Sequence, residues 1–274
     1  MKLIRGVLRL FRFFGIDLKH LSVNVRNLPM FLKDYMRLKK LRGNDADFPF
    51  VFPKAMLRDR TDEGGTMKGH YFHQDLYIAQ IIHDRNPKVH LDIGSRVDGF
   101  VAHVASYRKI KIMDIRPIKS TVKNIEFFQG DIMSSEMLER GQYESISCLH
   151  VIEHMGLGRY GDDIDYNGHR KALNTIYEML VSGGIFYFST PIGRQRIEFN
   201  AHRVFGLDYL LEYFEGKYKI LSFAYVDDSG DLHSEVELSS ELVSNNANCK
   251  FGCGIFELQK LGDRSDQDMP IEVE

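Results

Sequence analysis

The chain has 274 residues, of which 43% are hydrophobic and 27% are charged, so it can fill the core of one large α/β domain and still carry an extension. Its formal net charge of -2 at pH 7 argues against nucleic-acid binding by the molecule as a whole. Its three cysteines are too few for a disulfide framework or a four-cysteine zinc site, so a reducing cytoplasm is expected. No apolar run is long enough to predict a membrane-spanning helix.

The N-terminal extension, residues 1–73, is predicted to be basic, helical at first and then rich in loops. Residues 1–42 contain eleven Lys and Arg residues against two Asp residues, a surplus of nine positive charges. Pro29 is expected to break or restart the helical pattern. An apolar stripe lies opposite basic residues and comprises Leu3, Val7, Leu10, Phe11 and Phe14. Such a stretch either contacts the inner face of an anionic membrane or packs against the domain or a dimer partner.

Apolar segments with strand and helix patterns alternate over residues 74–261, which predicts βαβ crossovers and a Rossmann-like, mostly parallel, seven-stranded α/β sheet with helices on both faces. The last two strands are not separated by a clear helix and are expected to form an antiparallel terminal hairpin. An acidic tail follows over residues 262–274. The strands are expected near residues 88–93, 110–114, 125–128, 144–149, 185–190, 219–226 and 253–260, and the helices near 74–84, 98–107, 168–181 and 207–214.

Three predicted strands end in carboxylates. In the run KVHLDIGSRVDGF the first strand ends at Asp92 and a turn at Gly94, while Asp114 ends the second strand and Asp131 follows the third. Because parallel strands bring their carboxyl ends to one sheet edge, these residues predict an adenosyl pocket. Asp114 would accept from ribose hydroxyls and Asp131 from the adenine amino group. The alternatives are an ion pair between Asp114 and Arg116 and a helix N-cap at Asp131.

The fourth strand leads into CLHVIEHMGLGRYGD, where catalytic groups are expected. His154 is the predicted general base, with Glu153 nearby to orient it and His150 as the next candidate, since histidine titrates near neutral pH. Either histidine could instead be structural. His150 and His154, four residues apart, could share a metal if a third ligand came from elsewhere, but no metal is predicted.

The loop after these histidines is predicted to be a flexible approach for a substrate, because it contains three glycines within residues 156–161. Three aspartates follow, and they are expected to form a solvated face. The alternative is that they bind magnesium, since this ion prefers oxygen ligands. The aspartates are Asp162, Asp163 and Asp165.

These motifs resemble those of the class I S-adenosylmethionine-dependent methyltransferases. The runs GHYFHQD, LDIGSRVDGF, DIRP, GHRKAL and EFNAHRVF are similar to a methyltransferase-like domain family of unknown function found in bacterial surface-polysaccharide gene sets and in nematodes. The resemblance implies S-adenosyl-L-methionine as cofactor and methyl transfer to a small or glycan-linked acceptor, most simply a sugar hydroxyl. Arg96 and Asp98 stand where such loops usually carry glycine, so a degenerate binding module is one alternative. A nucleotide-dependent sugar-modifying enzyme is the other, although no G-x-G-x-x-G follows the first predicted strand.

The site residues follow from the strand ends and the resemblance. The predicted cofactor-binding residues lie along the strand-end edge and are Asp92, Gly94, Ser95, Arg96, Asp114, Ile115, Asp131, Ile132 and His150. The predicted substrate-binding residues lie before the first strand, after the fourth strand and after the fifth, and are His70, Tyr71, His73, Arg159, Tyr160, Asn200, His202 and Arg203. Arg203 would suit a phosphate or carboxylate on the substrate.

Overall fold

The computed structural model describes residues 11, 14, 15, 17–43, 47–134 and 140–262. The chain divides into two compact units, Met1–Thr66 and Met67–Glu274. Most of the predicted apolar stripe, from residue 3 to residue 10, and the acidic tail beyond residue 262 lie outside the described residues. Among the described helices, none combines the length and the apolar character needed to cross a membrane.

The first unit contains one long helix, α1 (Leu18–Arg42), and it runs through Pro29. The Asp17 carboxylate caps its start by accepting hydrogen bonds from two main-chain N–H groups, at 2.9 and 3.1 Å. The predicted break at Pro29 was therefore wrong. Proline has a helical φ and its ring costs the helix one hydrogen bond, while the buried Asn27 side chain anchors the preceding turn by donating to the Leu57 carbonyl at 2.7 Å.

The second unit is built on a sheet whose first five strands are parallel, and this confirms the predicted fold class. The order across the main sheet is β3-β2-β1-β4-β5-β10-β8-β9, and β6 pairs with β7 in a separate small hairpin. The strands in chain order are β1 (Leu91–Ile93), β2 (Ile110–Asp114), β3 (Ile125–Gln129), β4 (Tyr143–Leu149), β5 (Leu180–Ile192), β6 (Arg196–Glu198), β7 (His202–Val204), β8 (Tyr218–Val226), β9 (Leu232–His233) and β10 (Gly252–Lys260).

The antiparallel part of the sheet is more elaborate than a simple hairpin. Strand β10 pairs antiparallel with both β5 and β8, so the last long strand lies inside the sheet and the short β9 forms its edge. The sequence pattern missed β6, β7 and β9, because strands of two or three residues have too little alternation to detect.

Apolar residues cover both faces of the sheet, as the alternating direction of strand side chains requires. Phe186 and Phe188 in β5 belong to one core cluster and Tyr187 between them belongs to the other. Cys148 in β4 is fully buried in the first of these clusters. The helices are α2 (His70–Arg85), α3 (Ala102–Ala105) after a π-helical turn (Val97–Val101), α4 (Gly168–Met179), α5 (Leu207–Phe214) and α6 (Ser240–Ser244), with 3₁₀ turns at Ile152–His154 and Asn246–Asn248.

Candidate functional site

A pocket lies at the carboxyl ends of β1, β2, β3 and β4, where the sheet topology predicts it. It contains about 870 Å³ of space, part of it open to solvent. The predicted site residues that line it are Tyr71, Gly94, Arg96, Asp114, Ile115, Asp131, Ile132, His150, His154 and Tyr160.

Gly94 forms the turn after β1 and exposes main chain to the pocket. Its φ is +68°, and its N–H donates to the Met113 carbonyl at 2.8 Å. A Cβ at this position would lie 2.9 Å from the Cγ1 atom of Val151, too close for an ordinary contact. Glycine is required here by both the backbone conformation and the close approach of Val151, which follows β4.

Asp92 and Ser95 lie behind the pocket wall and hold the turn. The Asp92 carboxylate is buried and accepts from the main-chain N–H and the hydroxyl of Ser95, at 3.0 and 2.6 Å, and from the hydroxyl of Ser147 in β4 at 2.6 Å. Burial raises the pKa of Asp92 to about 7, although these three donors act in the opposite direction. Both residues therefore position the loop, and neither lines the pocket itself.

Asp114 lines the pocket and is also paired with Arg116. The guanidinium reaches both carboxylate oxygens, at 3.0 and 2.7 Å, and lies over the ring of Tyr160, 4.5 Å from its centroid. Only 12% of the Asp114 side chain is exposed. The ion pair between Asp114 and Arg116, which was the alternative predicted from the sequence, is therefore present. It holds the carboxylate at the pocket wall.

Asp131 also lines the pocket, beside Gly130. One of its carboxylate oxygens accepts from the Met133 N–H at 2.9 Å, which fixes the side chain. Ile115 and Ile132, each next to one of the two strand-end aspartates, supply apolar surface. The pocket thus combines two carboxylates with an apolar slot, a combination that suits a flat, hydrogen-bonding ring and a diol.

His154 lines the pocket from the 3₁₀ turn that follows β4. Its Nδ1 lies 2.7 Å from the Ala201 carbonyl oxygen, and two acceptors would repel at that distance, so we assign the proton to Nδ1. Nε2 then carries a lone pair and lies 3.8 Å from a Glu153 carboxylate oxygen. Burial lowers the pKa of His154, so the ring is neutral at pH 7 and able to accept a proton.

His150 forms a buried pair with Glu153. Its Nδ1 lies 2.6 Å from the Glu153 Oε1 atom, and both side chains are at most 5% exposed. Burial opposes the charge on His150, but Cys253 and the facing Glu153 raise its pKa. His150 in turn lowers the pKa of the Glu153 carboxyl group. His70 stands next to His150 with ring centroids 5.1 Å apart, and burial, together with the His150 charge, lowers the pKa of His70 to about 4.

The loop after His154 is anchored by Asp162, contrary to its expected flexibility and solvation. The Asp162 carboxylate is buried and accepts from the N–H groups of Gly156, Gly158 and Tyr160, at 2.8, 3.1 and 3.1 Å. Asp165 is paired with Lys171 at 2.6 Å. A carboxylate ringed by three donors stabilises a tight loop, and sequence pattern does not reveal that the donors turn inward.

Several predicted substrate residues lie outside the pocket wall. Arg203 is buried and donates to the carbonyls of Met155, Asp165 and Tyr166, which favours a structural role over anion binding. Arg159 donates to the Ala201 carbonyl at 2.8 Å. The other four are His70, His73, Asn200 and His202.

The pocket also contains residues that sequence reasoning did not select. Gly130 directly precedes Asp131 and Arg116 follows Asp114 by two positions, so a search around each strand end could have found both. Val151, Met155 and Asp162 carry no comparable signal. The remaining wall residues are Ile93, Met113 and Leu149.

A family model described as "Caenorhabditis protein of unknown function, DUF268" matches residues 102–261, more than half of the chain. The chain belongs to this family. The match begins at α3 and ends just after β10, so it includes Asp114, Asp131 and His154 but not the turn at Gly94. No curated protein matches the chain.

Among solved structures, a 1,6-didemethyltoxoflavin-N1-methyltransferase from Burkholderia thailandensis, with bound S-adenosylhomocysteine, is 13% identical, with a TM-score of 0.49, and the alignment covers 86% of this chain and 90% of that one. The N-methyltransferase NodS from Bradyrhizobium japonicum, in complex with S-adenosylhomocysteine, is also 13% identical, with a TM-score of 0.47 and coverage of 82% and 97%. The activities of these two proteins are not assigned to this chain. Its fold is defined by the strand order of its own sheet.

The turn at Gly94 leads to a prediction about stability. Gly94→Ala should destabilise the protein more than Gly216→Ala. Both glycines have a φ near +70°, but a Cβ at Gly216 would have no atom of the described residues within 4 Å. The shared backbone cost is about 1–2 kcal/mol. Urea denaturation of the two variants measures the difference. The excess cost in Gly94→Ala should shrink when Val151→Ala is added, and equal losses in the two single variants would contradict the proposed close approach.

Proposed function

We propose that the chain is an S-adenosyl-L-methionine-dependent methyltransferase that methylates a hydroxyl oxygen of a sugar or another small, glycan-linked acceptor. One observation carries the proposal: a single pocket contains the glycine turn, two strand-end carboxylates and a neutral histidine. The choice of oxygen and of a glycan is supported by the resemblance found in the sequence and by the proton acceptor at His154.

Different residues of the pocket wall would bind different parts of the cofactor. Asp114 would accept hydrogen bonds from the two ribose hydroxyls, and Asp131 from the adenine amino group. Ile115 and Ile132 would contact the faces of the adenine. Arg96 lines the same pocket and is half exposed, so it is placed to attract the carboxylate of the methionine moiety.

His154 would act on the acceptor and not on the cofactor. The bound cofactor would supply its methyl group to the acceptor oxygen, and the electron pair of the broken carbon–sulfur bond would remain on sulfur as a neutral thioether. The hydroxyl proton would pass to Nε2 of His154. This ring nitrogen carries a lone pair because Nδ1 holds the proton. The Ala201 carbonyl and Glu153 would then stabilise the imidazolium.

The N-terminal unit supports a proposed membrane contact. Helix α1 carries a stripe of apolar residues at helical spacing, each at least 42% exposed, and its last turn is basic. Apolar residues flanked by positive charge suit the surface of an anionic bilayer. The stripe consists of Leu21, Val25, Leu28, Leu32 and Met36. It extends the basic amphipathic pattern predicted for residues 1–42, and such a contact would bring the enzyme to lipid-linked acceptors.

The ribose contact leads to a binding prediction. Asp114→Ala should weaken S-adenosylhomocysteine binding at least tenfold in calorimetry, since each lost charge-assisted hydrogen bond is worth about 1.5–3 kcal/mol before desolvation. Asp34→Ala is the control, because Asp34 also pairs with an arginine, Arg60, but neither residue lines the pocket. Unaltered affinity in Asp114→Ala would remove this residue from the cofactor site.

The proposed role of His154 as general base leads to a prediction about the rate of methyl transfer. His154→Ala and His154→Gln should bind S-adenosylhomocysteine normally and lose methyl transfer to an identified sugar acceptor by about 10²–10⁴-fold. The parent enzyme should lose kcat/KM as pH falls through a pKa below 6.5, because burial lowers the pKa of His154 and the protonated ring cannot accept a proton. If the Gln variant kept most of its rate, His154 would only position the acceptor.

The exposed stripe leads to a sedimentation prediction. The protein should co-sediment with phosphatidylserine-containing vesicles at low salt and be released at high salt, because ions screen the attraction. The double substitution Val25→Glu and Leu32→Glu should abolish sedimentation. Val51→Glu, at an exposed apolar residue outside the stripe, is the control and should sediment normally. Equal sedimentation of all three proteins would leave the stripe as a packing surface.

A further inference from the structure

Three side chains that are distant in sequence meet beside the pocket. His70 begins α2, His150 follows β4 and Cys253 lies near the start of β10. One ligand atom from each side chain lies within 4.8 Å of the other two. His150 and Cys253 are buried and His70 is partly buried, so the cluster is shielded from bulk water.

His150 supplies the second observation, a buried nitrogen without a partner. Its Nδ1 is engaged by Glu153 at 2.6 Å, whereas its Nε2 is buried and has no hydrogen-bond partner within ordinary distance among the residues that the structure describes. A buried polar atom left unsatisfied costs about 1–3 kcal/mol and calls for an explanation. A metal ion at Nε2 would provide one, and the contact between the opposite ring nitrogen and a carboxylate is what metal-binding histidines usually show.

His70 has the same pattern of support. Its ring is hydrogen-bonded to the main chain at Phe251 and packs against the Phe251 ring, with centroids 5.4 Å apart. The neutral form of imidazole binds metal through one nitrogen while the other donates to a carbonyl or carboxylate. Both histidines of the cluster are therefore oriented by groups outside it.

Cys253 completes a set of soft and borderline donors. The Sγ atom makes weak contacts with the Gln74 side-chain oxygen at 3.6 Å and the Gly254 carbonyl at 3.8 Å, and it also interacts with the His150 ring. Those distances leave the sulfur free to become a thiolate ligand. Two imidazoles and a thiolate are ligands that zinc prefers, and they exclude magnesium and calcium, which take oxygen ligands.

We propose that His70, His150 and Cys253 bind one zinc ion and leave its fourth position for water or a ligand. Ligand atoms on a tetrahedral zinc ion lie about 3.5 Å apart, given bond lengths of about 2.1 Å to nitrogen and 2.3 Å to sulfur. The three atoms lie within 4.8 Å of one another, so they need to approach by at most about 1.3 Å, and His70, the least buried of the three residues, would supply most of that movement. His150 also lines the pocket, so the ion lies next to the proposed transfer site.

Metal content and cobalt spectroscopy test the proposal on the full chain, purified without a histidine tag. We expect one zinc ion per chain after incubation with Zn²⁺ and removal of free ion by gel filtration. The Co²⁺-loaded protein should show a thiolate-to-cobalt charge-transfer band in the near ultraviolet. Cys253→Ser should abolish this band and weaken Zn²⁺ binding at least tenfold, while Cys249→Ser, at the other buried cysteine nearby, should change neither.

Two glutamine substitutions in α2, one inside the cluster and one outside it, test the histidine ligand. His70→Gln should weaken Zn²⁺ binding at least tenfold, while His73→Gln, on the same helix but outside the cluster, should not. Circular dichroism shows whether each variant is folded. Zinc content clearly below one ion per chain, or a cobalt band that persists in Cys253→Ser, overturns the proposal. Absence of zinc together with rapid alkylation of Cys253 at neutral pH would identify a thiolate–imidazolium pair instead. None of these measurements involves the methyl donor, so the result is independent of the proposed transferase activity.

Discussion

The pocket depends on the buried carboxylate of Asp92. Its Oδ1 atom accepts from two hydroxyls, one in the turn after β1 and the other from Ser147 in β4, and Ser95 in turn accepts from the N–H of Leu149 at 3.3 Å. The turn and the end of β4 are therefore held as one piece. These two segments carry Gly94 and His150, so the wall against which a cofactor would bind is fixed by interactions that lie behind it.

His150 links the two sites. It adopts a φ of +56°, and its N–H donates to both oxygens of Ser189, at 3.0 and 3.1 Å. A left-handed conformation of a non-glycine residue costs about 1–2 kcal/mol and persists where the surrounding structure holds it, often at functional positions. Its ring forms part of the pocket wall while its two nitrogens face Glu153 and the cluster with Cys253. A change at this residue would affect both sites.

Long elements were predictable because their periodicity is a local property. Strand β2 and helix α5 have the predicted bounds, and β4, β8 and β10 differ by one residue. The predictions that were wrong or incomplete concern features that periodicity does not report. Pro29 is accommodated within α1, and the β6–β7 hairpin is too short to show alternation. The aspartate at position 162 turns inward because three N–H groups of its own loop surround it, a fact about backbone direction that composition does not contain.

The sequence by itself determined the fold class and the edge of the sheet where a site would form, because parallel strands must place Asp114, Asp131 and the turn at Gly94 at the same edge. Only the tertiary structure decided which side chains face that site. Arg203 satisfies main-chain carbonyls, whereas Val151 reaches the wall, and neither outcome is visible in local pattern. The cluster of His70, His150 and Cys253 joins residues up to 183 positions apart, so only the packing of α2 against the sheet brings them together.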